Sequence, residues 1–463
     1  MTQYPMVSTA LLVGLVVSAL MHTGQVYSFD LHRIVQLCIL LTVGIALIWN
    51  PQPMLAGFSS LRRREGGLIG LAFTFGAISS LLSARPHFAG LEWALFILLF
   101  VLALAVSQEV YRRPAVCDQW MRWALATTSV VIVLKIVLIY LSVLMQGGRL
   151  NSIVLFHHGF SNPRFFGQVA TFVIPLLAYP LLRTKNRRER FFWFVMLAVW
   201  WALLFASATR GSFMALAAAS IVLVILNRQS TLPWLRAQAI CLVFGVVIYS
   251  VLFIWIPEQL NQVVSMESRA NNFASLSNRD VIWQIALQHI VTHPLLGIGP
   301  MHFANEINPV AAHPHNALLQ LAAEWGLPAA LAWLWVVIIG SVAFLQKIRR
   351  GEGENELTIP LAIALLGGLA QSMVDGVIVV PYTQLWLITV IAWTTGVYSR
   401  MTPSSVQARL IVSPHVGRVM IAFAIGLVVW GVYPEMLSLE TLASKYKVGL
   451  LPRFWAQGWL EYQ

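Results

Sequence analysis

The chain has 463 residues, of which 58% are apolar and only 10% charged, with a mean hydropathy of +0.75, whereas a soluble domain carries roughly 25% charge. That much apolar surface excludes a water-soluble globule and calls for lipid, because a helix of about 20 apolar residues satisfies its own backbone while spanning about 30 Å of hydrocarbon. The net charge of +12 does not make a nucleic-acid surface, since the Lys and Arg residues lie in short clusters between apolar runs rather than along one face.

The first apolar run, Ala10 to Leu20, has no Lys or Arg before it. It therefore lacks the charged leader of a signal peptide and reads as a first span. Polar breaks then separate about thirteen apolar runs, centred near residues 15, 41, 76, 99, 133, 174, 200, 219, 247, 330, 366, 390 and 425. The expected fold is an all-α integral membrane protein with about 12–13 transmembrane helices, a single polytopic domain over residues 1–463. Residues 257–314 form its one long loop, a subdomain with short helices, and 434–463 form an outward tail too short to fold alone. Cys38, Cys117 and Cys241 have no metal spacing and read as buried hydrophobes.

The basic clusters Arg62–Arg64, Arg112–Arg113, Arg183–Arg190, Arg228–Arg236 and Lys347–Arg350 all follow even-numbered runs. One orientation therefore puts them all in the cytoplasm, together with the N-terminus, with Arg33 a mild exception. It places outside the loop Gln146–Phe165, the link Ser207–Gly211, the loop Pro257–Pro314, the turn Asp375–Pro381 and the tail.

Those outward segments hold Arg149, Arg164, Arg210, Arg269 and Arg279, where a positive-inside bias should deplete arginine. Headgroup contact would use such residues singly; five together suggest an anionic ligand. Thr209-Arg210-Gly211-Ser212 opens the eighth run at its outer end, where unpaired N–H groups, the helix dipole and a guanidinium would together cradle phosphate. The alternative is that Arg210 snorkels to the interface. In the long loop, Ser277 or Asn278 caps a helix running to His293 and ended by Pro294. Arg279 and Trp283 share a face of this helix, as an anion site or as a cation–aromatic pair.

Ala312-His313-Pro314-His315-Asn316 stands where the loop enters the tenth run. A helix start keeps an imidazole neutral and basic, which suits His315 to general-base work, although a structural corner histidine is the ordinary reading. His302, His157 and His158 lack metal-site spacing relative to His313 and His315, so no metal is expected. Glu324, nine residues past His315, projects from the opposite helix face and cannot simply orient it. Asp375 could orient a histidine or pair with an arginine.

From about Asn151 to Trp386 the chain resembles the O-antigen ligase and O-antigen polymerase superfamily. The resemblance rests on Arg210-Gly211-Ser212, on Arg279 to Trp283 followed by His293-Pro294-Leu295-Leu296-Gly297-Ile298-Gly299-Pro300, and on His315-Asn316 with Glu324-Trp325-Gly326-Leu327-Pro328 downstream. It departs from the family pattern at Met214, where leucine is usual, and at Ala329, where Gly, Thr or Tyr is usual. The resemblance implies inverting glycosyl transfer from an undecaprenyl-diphosphate-linked glycan at the periplasmic face of the bacterial inner membrane, without cofactor or metal. The acceptor is a lipid A-core sugar, or alternatively a second lipid-linked glycan or a pilin serine. In that reading His315 is the base and Arg210 and Arg279 hold the diphosphate. Arg164, Arg149, Ser212, His313, Asn316, Trp283 and Asp375 are expected at the substrate, and His313 either assists His315 or takes its place as the base. A lipid-linked glycan transporter is the competing class; it predicts charges in broken helices at mid-membrane rather than at one face.

Overall fold

Proline and capping residues divide the chain into helices. The structure, a computed structural model, describes residues 6–24, 26–264, 279–306, 308, 310–402, 412–436 and 451–458. In chain order the helices are α1 (Met6–Leu20), α2 (Ser28–Trp49), α3 (Gln52–Ser60), α4 (Arg63–Leu82), α5 (Pro86–Arg112), α6 (Pro114–Met145), α7 (Ser152–Phe160), α8 (Pro163–Arg183) and α9 (Arg187–Ser207). They continue with α10 (Arg210–Ser250), α11 (Ile256–Gln259), α12 (Arg279–Thr292), α13 (Ala317–Trp325), α14 (Leu327–Arg349), α15 (Asn355–Ser372), α16 (Pro381–Met401) and α17 (Pro414–Met436). Proline opens α5, α6, α8, α14 and α16, where its missing N–H would be unpaired in any case. Ser277, Asn278 and Arg269 lie outside the described residues.

Among the described residues, nine helices are long and apolar enough to cross a membrane, in keeping with an all-α integral membrane protein. One of them, α10, is a hairpin. Its backbone leaves helical geometry at Asn227 (φ −155°, ψ 82°), and Phe205 lies 5.1 Å from Phe213 and 5.9 Å from Tyr249, so the two halves fold back side by side. Counting α10 as two passes and adding α1, α15 and α16 accounts for each apolar centre read from the sequence.

The bundle has two chemically different ends. At one, Arg183 pairs with Glu354 at 3.0 Å, Asn227 donates to the Ile348 carbonyl, and Lys347 pairs with Glu352; the basic clusters collect here. The other end receives the starts of α8, α10, α12 and α13. Protein surrounds α8 on nearly every side, with 94% of its apolar window buried, whereas only 17% of the α10 window is buried and the rest faces outward. A central α8 thus carries Arg164 to the polar end on a rigid support.

The long loop is held over that end. Ile282 and Ala286 of α12 pack on Phe303 and on Ala323 of α13 as a small separate core. The segment His293–Pro300 lies against the α13–α14 junction, where Ile298 and Gly299 donate to the carbonyls of Ala323 and Glu324.

Of the expected tail, residues 451–458 are described, and they pack against the bundle. Phe454, Trp455 and Ala456 are buried inside the bundle, and Arg453 is 1% exposed. One guanidinium nitrogen of Arg453 contacts Glu92 of α5 at 2.6 Å and Glu324 of α13 at 2.5 Å. A length too short to fold alone is long enough to fill a cleft once the cleft supplies the counter-charges. Arg33, the exception in the charge pattern, is buried for a related reason: it donates to the carbonyls of Phe454 and Val379 and to Gln36 and Gln384.

Gly326 separates α13 from α14 with φ +86°, and a Cβ there would stand 2.0 Å from the Leu295 carbonyl oxygen. Gly326→Ala therefore combines a left-handed backbone with a backbone clash. It should lower stability by more than about 2 kcal/mol, read as a depressed thermal transition of the detergent-solubilised protein.

Candidate functional site

Three helices begin at the polar end with an arginine in their first turn. Asn162 caps α8 by accepting from the Arg164 N–H at 2.9 Å. Arg210 is the first residue of α10, and Arg279 the first of α12. Thr209 donates to the Pro163 carbonyl at 3.4 Å, and a Cβ on Gly167 would lie 2.4 Å from Thr209. These contacts bring the starts of α8 and α10 together, and Gly167 permits that approach.

The turn between α15 and α16 closes the same space. Gln371 donates to Ser212 at 3.0 Å, and Gly211 faces Val374. Asp375 follows, 5% exposed, accepting from the Gly376 N–H at 2.9 Å and facing the Gln168 amide. Burial raises its carboxyl above the usual range, while Arg164 and Arg279 pull it down. Burial lowers Arg279, Asp375 opposes, and the like charges of Arg164 and Arg210 lower it further. Arg164, Arg210 and Asp375 therefore all act on Arg279, and Arg164 and Arg279 both act on Asp375, which places these charges in one neighbourhood. The Arg279 Nε is buried without a hydrogen-bond partner among the described residues.

The histidine segment enters this pocket as a strained, fully tied corner. His315 has φ +53°, a left-handed backbone that L residues adopt at a cost of order 1–3 kcal/mol and keep only where the surroundings enforce it. Three contacts enforce it here. Trp283 donates to the Pro314 carbonyl at 3.0 Å, the His315 N–H donates to His313 Nδ1 at 3.2 Å, and Asn316 Nδ2 donates to the Met373 carbonyl at 3.0 Å. Asn316 Oδ1 also caps α13 by accepting from Leu319 at 3.0 Å.

The two imidazoles differ. His313 is 1% exposed, uses Nδ1 to hold the His315 backbone, and packs its ring against Gly376, where a Cβ would stand 2.6 Å away. His315 Nδ1 is 3.7 Å from Asp375 Oδ1, beyond hydrogen-bond distance, and is otherwise unpartnered among the described residues. Burial first, then the charges of Arg164 and Arg279, push the His315 imidazole down to about 3. It is neutral at physiological pH and can accept a proton.

Several expectations change. Ser212 is fully buried with its hydroxyl engaged by Gln371, and both polar atoms of Asn316 are used within the protein. These hydrogen bonds brace the site from within the protein. Trp283 braces the Pro314 carbonyl in place of stacking on Arg279. Arg149 is exposed beside the Leu150–Val264 bridge and is not among the charges acting on His315, Asp375 or Arg279. His157 and His158 pack instead with Tyr27 and His22. Among the described residues no three His, Cys, Asp or Glu side chains gather as a metal-binding group. Reading the sequence missed Gln168, whose signal was a lone amide inside the apolar α8, and Arg453, whose signal was a basic residue in a Trp- and Phe-containing tail.

The pocket as built would bind a small polyanion. Inorganic diphosphate should bind the purified protein in a salt-sensitive manner, with Arg164→Ala and Arg279→Ala each weakening it about tenfold and Arg149→Ala leaving it unchanged. Titration calorimetry at two ionic strengths checks this.

No curated protein matches the chain. A family model described as O-antigen ligase matches residues 193–334, a stretch holding Arg210, Arg279, His313 and His315 but not Arg164 or Asp375. Over this stretch the chain is similar to the O-antigen ligase family.

Proposed function

We propose that the protein transfers an undecaprenyl-diphosphate-linked O-antigen glycan to a sugar hydroxyl of lipid A-core, at the periplasmic face of the bacterial inner membrane. The family supports a membrane glycosyltransferase of O-antigen ligase or polymerase type with lipid-linked glycan substrates. The carrying observation is the buried, unpartnered His315 Nδ1 beside Asp375, next to helix starts that bear Arg164, Arg210 and Arg279.

The chemistry follows from that arrangement. The acceptor hydroxyl gives its proton to His315 as its oxygen attacks the anomeric carbon of the donor. The bond from that carbon to the diphosphate oxygen breaks, its electron pair leaves with undecaprenyl diphosphate, and the anomeric configuration inverts. Arg164, Arg210 and Arg279, with the N–H groups of the helix starts, stabilise the charge growing on the diphosphate. Asp375, 3.7 Å from Nδ1, steadies the imidazolium and favours the tautomer that leaves Nε2 as the base. These residues need no metal to balance the leaving group, since the guanidiniums supply the positive charge. His313, enclosed and occupied with the backbone, serves as a support.

The test offers the purified chain a lipid-linked glycan together with lipid A-core, a second lipid-linked repeat and a serine-containing pilin in parallel, with chelator present. Product on lipid A-core alone is expected, and His315→Ala should lower it about 10²- to 10⁴-fold. Product only on one of the other acceptors assigns the chain to polymerisation or protein glycosylation. Glycan moved across vesicles without transfer overturns the proposal.

The acid limb provides a separate check. Because His315 stays neutral down to a low pH, kcat/KM should remain level through the usual histidine range near about 6.5 and fall only below about pH 5. The limb of kcat lies higher, since bound diphosphate offsets the arginine field and raises the proton affinity of the imidazole.

A further inference from the structure

We infer that the C-terminal segment Leu451–Gly458 is a working part of the transfer site, and that Arg453 is a positioning residue that holds α13, and through it His315, in register. This inference rests on the glycosyl-transfer reading for its consequence, though not for its geometry.

The contacts of Arg453 converge on α13. Its NH2 nitrogen lies 2.9 Å from Glu92 Oε1, 2.6 Å from Glu92 Oε2 and 2.5 Å from Glu324 Oε2. With its amide turned oxygen-inward, the orientation that satisfies its neighbours, Gln320 accepts from both terminal nitrogens of Arg453 at 3.1 Å. Gln320 and Glu324 stand one helical turn apart on α13. Arg453 thus grips one face of a helix only nine residues long, and the same helix starts at Asn316, the residue after His315.

Glu324 passes the grip onward. Its Oε1 accepts from the Phe303 N–H at 2.9 Å, and its carbonyl accepts from Ser79 at 2.8 Å and from Gly299 at 3.0 Å. The face of α13 opposite to His315 is therefore where α4, α5, the long loop and the tail are joined.

The tail also reaches the histidine corner directly. Gly458, with φ +58°, lies against Ala312, so that a Cβ would stand 2.9 Å from the Ala312 Cβ; Ala312 immediately precedes His313. The tail itself is anchored by Arg33, which donates to the Phe454 carbonyl at 2.9 Å, and by Asp30, which accepts from the Ala456 N–H at 2.6 Å. An element fixed at one end on α2 and at the other on both flanks of the His315 corner constrains where that imidazole sits. Ångström-scale misplacement of a catalytic group can cost about 10²-fold in rate.

Arg453→Met alone would leave two carboxylates buried without their cation and could unfold the chain. The informative variant is the full-length triple Arg453→Met, Glu92→Gln, Glu324→Gln, which removes the clasp together with the charges it neutralises. In this variant, with a cooperative thermal transition retained, amide hydrogen exchange over residues 311–319 should accelerate by about tenfold or more. The kcat should fall about 10²-fold, with KM for the lipid-linked donor and the affinity for inorganic diphosphate each within about threefold of the parent. Arg453→Lys, which keeps the charge and loses the planar fork, should recover part of kcat. Unchanged exchange over 311–319 in the folded triple variant, or kcat within about twofold of the parent, overturns the inference. Exchange judges the clasp without reference to any substrate, so a parent chain that transfers no glycan counts against the transfer reading alone.

Discussion

The site depends on an electrostatic imbalance in a setting of low dielectric. Arg164, Arg210 and Arg279 act on the same buried space, and the starts of α8, α10 and α12 add the positive ends of three helices. Asp375 lies 3.7 Å from the His315 imidazole and acts on Arg279. Charges a few ångströms apart interact by several kcal/mol where water is scarce, so the pocket has a standing preference for a polyanion. A diphosphate leaving group has the charge to meet that preference, and its charge rises as the glycosidic bond breaks, which is when stabilisation accelerates a reaction.

The same field explains how a histidine can serve as a base there. Close to the Arg164 and Arg279 guanidiniums and shielded from water, His315 has little tendency to hold a proton. It becomes a better proton acceptor once an anion occupies the pocket. In the proposed reaction, basicity would therefore follow donor occupancy. The scaffold keeps the imidazole available by tying the corner down around it: Trp283 and His313 hold the corner's backbone, Asn316 links it to the Met373 carbonyl, and the positive φ of His315 is the local strain that this bracing supports.

At the opposite face of α13, charge is handled in the contrasting way. Glu92, Arg453 and Glu324 are paired and enclosed, with Gln320 and the Phe303 N–H completing the set. Buried groups satisfied in this manner specify geometry more than they add stability. One short helix therefore separates an ion-paired cluster, which locates it, from an arginine-rich one, which in the proposed reaction binds and reacts. The left-handed glycine Gly326 and the approach of Leu295 to it let the helix end abruptly enough to fit between them.

The sequence by itself determined the membrane class, the apolar passes and the candidate residues Arg164, Arg210, Arg279, His315 and Asp375, because hydropathy, charge asymmetry and helix starts are local properties written over some twenty residues at a time. It also contained the hairpin in α10, since two apolar centres fall on either side of the Arg228–Arg236 cluster. Tertiary structure alone decided which arginines meet. Arg149 and Arg164 look alike in one dimension, yet only the one on the central, enclosed α8 reaches Asp375 and His315. It likewise decided which histidine is free, because the difference between His313 and His315 is a single hydrogen bond and a packed glycine. The fate of Arg453 was illegible for a physical reason: a lone arginine in a short tail is soluble by every local measure. Only the meeting of Glu92 and Glu324, distant in sequence and adjacent in space, makes burial its lower-energy place.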